Sequence, residues 1–248
     1  MSAPGPAPAA RGDGQASVPE GLVSAVVNLV NTGPVLLGAY TIAELTAVDA
    51  VVDFLETRPS DEVLAEAVRS LAARQLLVAG AAGQQVRVQG DLGIAVAFQQ
   101  RARAVLDARV TGTEAGEPWR ILLLPQPEKI CLQFSIDALG IHQVGLYQLD
   151  EALSALARWL PQGHQADPGD PVDADDLLAT ADRAALLTVT RYKTEGSAET
   201  AENTTDLVLA RKHDRLHVLA RDPSDRSKLV PVRADGKEIP DRLIELLT

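Results

Sequence analysis

Sulfur, aromatic rings and positive charge are all scarce in this sequence, and each scarcity removes a class of function. Among 248 residues there is one cysteine, Cys131, and one methionine. A single cysteine closes no intramolecular disulfide and supplies no zinc site built from several thiolates. It lies in the apolar run Ile130-Cys131-Leu132, the setting of a buried structural thiol. A nucleophile would need a base and an exposed, electropositive surround. Aromatic residues make up 3% of the chain, so the core is expected to consist of small and branched aliphatic side chains. Lys and Arg number 23 against 34 Asp and Glu, a formal net charge of −11. Phosphate binding needs clustered cations, so this balance disfavours nucleic acid or an anionic membrane as the main partner. No run approaches the roughly 18 uninterrupted apolar residues of a membrane span. Residues 1–18 are rich in Pro, Ala and Gly and lack the basic start and apolar stretch of a signal peptide. They read as a flexible tail, with Arg11-Gly12-Asp13 a chance tripeptide. The expectation is a soluble, cytoplasmic protein.

Catalytic signatures are missing as well. Residues 80–83 read as a hairpin turn, with no Lys-Ser/Thr after them and no G-x-G-x-x-G pattern. There is no G-x-S-x-G elbow. His213 and His217 are spaced for one face of a helix, but Asp214-Arg215-Leu216 between them reads as a turn entering a strand. His142 falls at a strand start and His164 in a linker. Asp167, Asp170, Asp173, Asp175 and Asp176 do not follow the spacing of a calcium loop. No catalytic residue, cofactor or metal is therefore expected, and the chain reads as a non-enzyme.

What is present is a patterned α+β chain with 46% hydrophobic residues. A short apolar run over residues 21–30 favours a helix ended by Gly33-Pro34. Thr41-Ile42-Ala43-Glu44 fits a capping box, followed at helical spacing by Leu45, Val48, Val52 and Leu55. A further helix runs from Ser60 to about Gln75, with Leu64, Val68 and Leu71 as its stripe. Strands at 76–78 and 85–88 flank a turn, and residues 91–103 form another helix. Strands are then expected at 104–111, 119–124, 129–136 and 142–147, with a helix over 150–160. After the Pro-rich segment 161–172, which reads as a linker, Asp173 caps a short helix. Strands follow at 185–192, 206–210, 215–220 and 228–233, and a helix at 239–247. Polar loops fill 112–118 and 193–205. The same order of elements occurs twice, so two pseudo-symmetric halves are expected, each a mainly antiparallel sheet with a C-terminal helix. An N-terminal helical, winged-helix-like segment precedes them. The boundaries are 1–18 (tail), 19–160 (first half), 161–172 (linker) and 173–248 (second half). Sheets joined edge to edge, or packed on shared helices, would cover the apolar faces.

A helix followed by a two-stranded wing is also the shape of a DNA reader. Here the helix offers only Arg69 and Arg74, beside Glu62 and Glu66, and the wing only Arg87. A structural use of that shape fits the charges better.

The segment from Glu66 to Leu77, EAVRSLAARQLL, resembles a feature of the EspG-like family of type VII secretion-associated chaperones. That family carries an Ala-rich helix ending in Leu-x-Ala-Arg-Gly-Leu. Residues 91–109 and the tandem strand-and-helix arrangement are similar too, and the amino-acid bias fits the GC-rich coding of actinobacteria. The resemblance spans residues 22–247, with Gln75 standing where the family often has Gly. It implies a quasi-two-fold α+β fold, no catalysis, and cytoplasmic binding of a helical secreted protein. A loop between early strands helps contact the substrate in that family. Its nearest counterparts are loop 112–118, with Thr113, Glu114 and Glu117, and loop 193–205, with Glu195, Glu199 and Glu202. The second of these is longer than a hairpin needs. The other readings are a winged-helix transcription regulator and an enzyme with an unrecognised site.

Overall fold

Capping chemistry places the early helices. The computed structural model describes residues 18–50, 58–79, 86–166, 173–195, 198–225, 228–232 and 238–247. Helix α1 (Glu20–Val30) turns Val26 and Val30 inward and stops just before Gly33-Pro34. Strand β1 (Val35–Thr41) follows at once. It has no counterpart in the sequence-based expectation, because its burial does not alternate and its register shifts between Leu36 and Gly38. Thr41 then caps α2 (Ile42–Ala47). Thr41 Oγ1 accepts from the Glu44 amide at 3.2 Å, and Glu44 Oε2 accepts from the Thr41 amide at 2.9 Å, which is the expected capping box. Helix α2 is shorter than its apolar spacing predicts: Val48 is the C-cap and Asp49 adopts φ +58°. Val52 and Leu55 fall outside the described residues. Ser60 caps α3 (Asp61–Ala73). Strands β2 (Leu77–Val78) and β3 (Arg87–Val88) pair as the small wing, and α4 (Gly90–Arg101) buries Leu92, Ala95 and Phe98. The turn expected at 80–83 lies outside the described residues.

Gln75, just past α3, adopts φ +59°. Glycine takes that left-handed conformation freely, while a Cβ makes it unfavourable. Position 75 is therefore one where the backbone favours glycine. Gln75→Gly is expected to raise the unfolding free energy by about 0.5–1 kcal/mol. The measurement is a urea titration, with a higher midpoint at unchanged slope.

The remaining elements are β4 (Ala104–Thr111), β5 (Arg120–Pro125), β6 (Ile130–Ile136), β7 (Ile141–Gln148), α5 (Leu149–Trp159), β8 (His164–Gln165), α6 (Ala174–Thr180), β9 (Arg183–Glu195), β10 (Ala198–Lys212), β11 (Arg215–Arg221), β12 (Leu229–Pro231) and α7 (Ile239–Leu247). The strands other than β2 and β3 form one sheet in the order β1-β7-β6-β5-β4-β9-β10-β11-β12, with β8 beside β11. Strands β4 and β9 pair antiparallel at its centre, from Ala104↔Arg191 to Thr111↔Ala184. The strands on either side of this pair are thus joined edge to edge in one sheet, whose apolar faces are left for helices to cover. Outward from this pair the order reads β5, β6, β7 on one side and β10, β11, β12 on the other.

Helices cover both faces. On β5, Leu122 and Leu124 join a core with Phe98 of α4 and Val30 of α1. Ile121 and Leu123 point the other way, into a core with Leu156 of α5 and Leu243 of α7. A strand buried on both sides reads as a continuous apolar run, which is why residues 120–125 are RILLLP. Helix α6, capped by Asp173 as expected, packs Leu177 on Val208, Ala210 and Leu219.

Two expectations are corrected. Of residues 193–205, expected to be a polar loop, 193–195 belong instead to β9 and 198–205 to β10, paired from Ala198↔Glu195 to Arg211↔Arg183; residues 196–197 lie outside the described residues. Five threonines lie between 190 and 205, and their branched Cβ atoms suit a pleated strand however polar the stretch. Inside the segment expected to be a linker, His164–Gln165 pairs in parallel with β11. Gly163 permits that approach, since a Cβ there would meet the Asp214 carbonyl oxygen at 2.8 Å. Residues 167–172 lie outside the described residues.

Candidate functional site

The residues proposed from sequence for partner contact do not come together. Loop 112–118 is held down at one end of the β4–β9 pair. Arg183 Nη1 donates to Glu117 Oε2 at 2.9 Å and to the Gly112 carbonyl at 3.3 Å, while its Nη2 donates to the Trp159 carbonyl at 2.9 Å. Glu117 also accepts from the Glu114 amide. The Arg183 guanidinium, with that amide, keeps the Glu117 carboxyl below its ordinary pKa. Glu117 is therefore a staple between this loop and β9, and Thr113 and Glu114 are the exposed members. Gly112 sits at φ +69°, where a Cβ would meet the Asp182 carbonyl oxygen at 2.5 Å.

Glu195, Glu199 and Glu202 lie at the far end of the β9–β10 hairpin, and their side chains are outside what the structure describes. Strand β9 starts beside Thr111 and runs past Ala104. Its 13 residues span about 40 Å at a strand's rise of roughly 3.3 Å per residue. The two acidic groups thus mark opposite ends of the sheet.

A groove forms elsewhere, where α5 meets α7, and no local pattern in the sequence signals it. Helices α5 and α7 pack together on the sheet face that carries Leu216 and Val218 of β11. Between them a cavity of about 600 Å³ opens over these two side chains. Ser154 and Arg158, one helical turn apart on the exposed side of α5, form one wall, and Ile239 and Arg242 of α7 the other. Gln162 lines the groove as well, and its Nε2 donates to the Ala157 and Leu160 carbonyls at 2.6 and 2.8 Å, closing the C-terminal end of α5. The lining residues come from stretches far apart in sequence, so only the fold assembles them.

Several buried polar groups elsewhere are committed to structure. Asp107 takes a two-pronged hydrogen bond from Arg120. Glu44 accepts from the Ser70 hydroxyl and Arg74 Nη1. Cys131 is buried, and loss of solvent pushes its thiol up to about 12. His142 is buried too; its Nδ1 lies 3.0 Å from the Gly140 carbonyl oxygen, and burial lowers its pKa. His213 and Asp214 form the β10–β11 turn, with φ values of +49° and +65°, so the His213/His217 spacing is not helical. On α3, Arg69 pairs with Glu66 at 2.7 Å. Arg74 pairs with Glu44 and lies 5.1 Å from the centre of the Tyr40 ring. Both cations that this helix offers to a phosphate are engaged within the protein.

No protein-family model matches the chain, and a search of curated proteins finds no similar one.

Proposed function

We propose that the chain is a non-enzymatic chaperone or adaptor that binds a helical protein partner, of the kind that type VII secretion-associated chaperones hold before export. The observation that supports this reading is the α5–α7 groove. Recognition of an amphipathic helix needs an apolar floor for its anchor residues and a polar rim that fixes its orientation. Leu216, Val218, Ala157 and Ile239 supply the first, and Arg158, Gln162 and Glu238 the second. The exposed Thr113 and Glu114 are further contact points in this proposal.

Co-expression with a panel of small helical secreted proteins tests it. The expected result is co-purification of one of them. Ser154→Trp fills the groove from an exposed helix position, so it should weaken binding about tenfold or more while leaving the thermal midpoint unchanged. Failure of every such protein to bind, or full binding by the Ser154→Trp variant, overturns the proposal. Retardation of duplex DNA with a steep salt dependence would replace it with the winged-helix regulator reading.

A further inference from the structure

Backbone groups at a sheet edge must be paired, covered or left open to a partner. The first strand in the sheet order has two carbonyls engaged: that of Leu37 in β1 accepts from the Tyr40 hydroxyl at 2.7 Å, and that of Ala39 accepts from Arg74 Nη2 at 3.3 Å. The last, β12, has only three residues and ends in Pro231, which has no N–H. Strand β10 is different. It has 15 residues, but β11 pairs only with Leu207 to Lys212. Among the described residues, no strand pairs with the outer side of residues 198–205.

The register shows which groups face that side. Lys212 and Arg215 flank a two-residue turn and so form a hydrogen-bonded pair. Even-numbered residues of β10 therefore aim their N–H and C=O groups at β11, and odd-numbered ones at β9. The Asp182 amide bonded to the Arg211 carbonyl, on the β9 side, agrees with this phase. Beyond the end of β11 the same phase turns Thr204 outward. The bulge between Ala201 and Asn203 shifts it by one residue, so Ala201 and Glu199 face outward next. Charge narrows the choice of occupant. Residues 198–205, AETAENTT, contain two glutamates and no Lys or Arg. Pairing of this edge with the same edge of a second copy would set like charges against each other, whereas a basic strand would be attracted.

We infer that the outer edge of β10, residues 198–205, takes a basic extended segment of a protein partner as an added strand. The inference goes beyond the helix-in-groove reading and stands without it, because groove and edge are different surfaces.

The test uses the full chain, isotope-labelled, with two ten-residue peptides: alternating Lys and Thr, and alternating Glu and Thr. The Lys peptide should slow amide exchange at Thr204, Ala201 and Glu199 about tenfold or more, and the Glu peptide should not. Thr204→Pro deletes an outward N–H and leaves the β9 ladder in place, so it should abolish the slowing. Should that variant fail to fold, the double substitution Glu199→Lys, Glu202→Lys carries the decision by reversing the peptide preference. No slowing, equal slowing by both peptides, or unchanged preference in the double variant overturns the inference. So does slowing produced by raising the protein concentration alone, which would assign the edge to a second copy. Ser154→Trp should leave peptide binding intact, so failure of the groove and failure of the edge are separately visible.

Discussion

Replacing Asp107 by alanine is expected to lower the unfolding free energy by about 3–5 kcal/mol. Arg120 on β5 meets the Asp107 carboxylate on β4 with two parallel hydrogen bonds, Nε to Oδ1 at 2.8 Å and Nη2 to Oδ2 at 2.7 Å. Arg109 adds Nε and Nη2 at 3.2 and 3.0 Å. The Arg120 side chain is 7% exposed, so removing Asp107 takes a carboxylate and two hydrogen bonds from a desolvated guanidinium. Arg109 and Arg120 are also direct cross-strand partners. Without the carboxylate between them, two cations face each other across the ladder. The loss should appear in urea unfolding as a lower midpoint at unchanged slope. Asp107→Leu combined with Arg120→Met should recover most of it, because apolar replacement of a whole buried pair is close to neutral. An alanine variant within about 1 kcal/mol of the wild type would mean that solvent screens the pair far more than its burial implies.

The position of that pair bears on how much of the fold is legible in the sequence. The row Asp107, Thr188, Asp206 crosses β4, β9 and β10 in register. Thr188 Oγ1 and Arg221 Nε both donate to Asp206, at 2.9 Å each. Nothing in the spacing of these residues announces that they are neighbours, since cross-strand register depends on the whole sheet. Local signals fared better. The Thr41–Glu44 capping box, the Asp173 cap, the apolar stripe of α5 and the extent of β4 are each encoded within a single turn or strand. The polarity of residues 193–205 suggests a loop, whereas the pairing of residues 198–205 of β10 with the end of β9 makes both segments strand. The β1 segment was missed because a bulge and an edge position leave no alternation to detect. The candidate groove was the least legible feature. Its floor comes from β11 and its walls from α5 and α7, three elements whose proximity follows from the sheet order and not from any one segment. Of the residues proposed for partner contact, Glu117 shows what a local reading leaves out: the fold sets Arg183 against it, from 66 residues away in sequence.

Glu44→Ala is expected to cost about 2–4 kcal/mol, and its conservative counterpart Glu44→Gln gives the cleaner diagnosis. Glu44 is 5% exposed, yet its carboxylate accepts from the Thr41 amide at 2.9 Å, the Ser70 hydroxyl at 2.7 Å and Arg74 Nη1 at 3.1 Å. One side chain thereby joins the start of α2 to the last turns of α3, and through Arg74 to the Ala39 carbonyl of β1. Burial alone would push its pKa up. The Thr41 amide, the Ser70 hydroxyl and the Arg74 guanidinium together outweigh that and hold it below the ordinary glutamate value. A carboxyl with a depressed folded-state pKa binds its proton more readily in the unfolded chain. Its stabilisation is therefore fully present above the ordinary glutamate range and is lost as the pH falls through the folded-state value. Glutamine keeps the shape but carries neither the charge nor the titration. Urea unfolding of both proteins from pH 7 down to pH 3 should show the wild type ahead of Glu44→Gln at neutral pH and the gap closing on acidification. A gap that stays constant with pH would assign the loss to packing and remove the charge on Glu44 as the link between α2, α3 and β1.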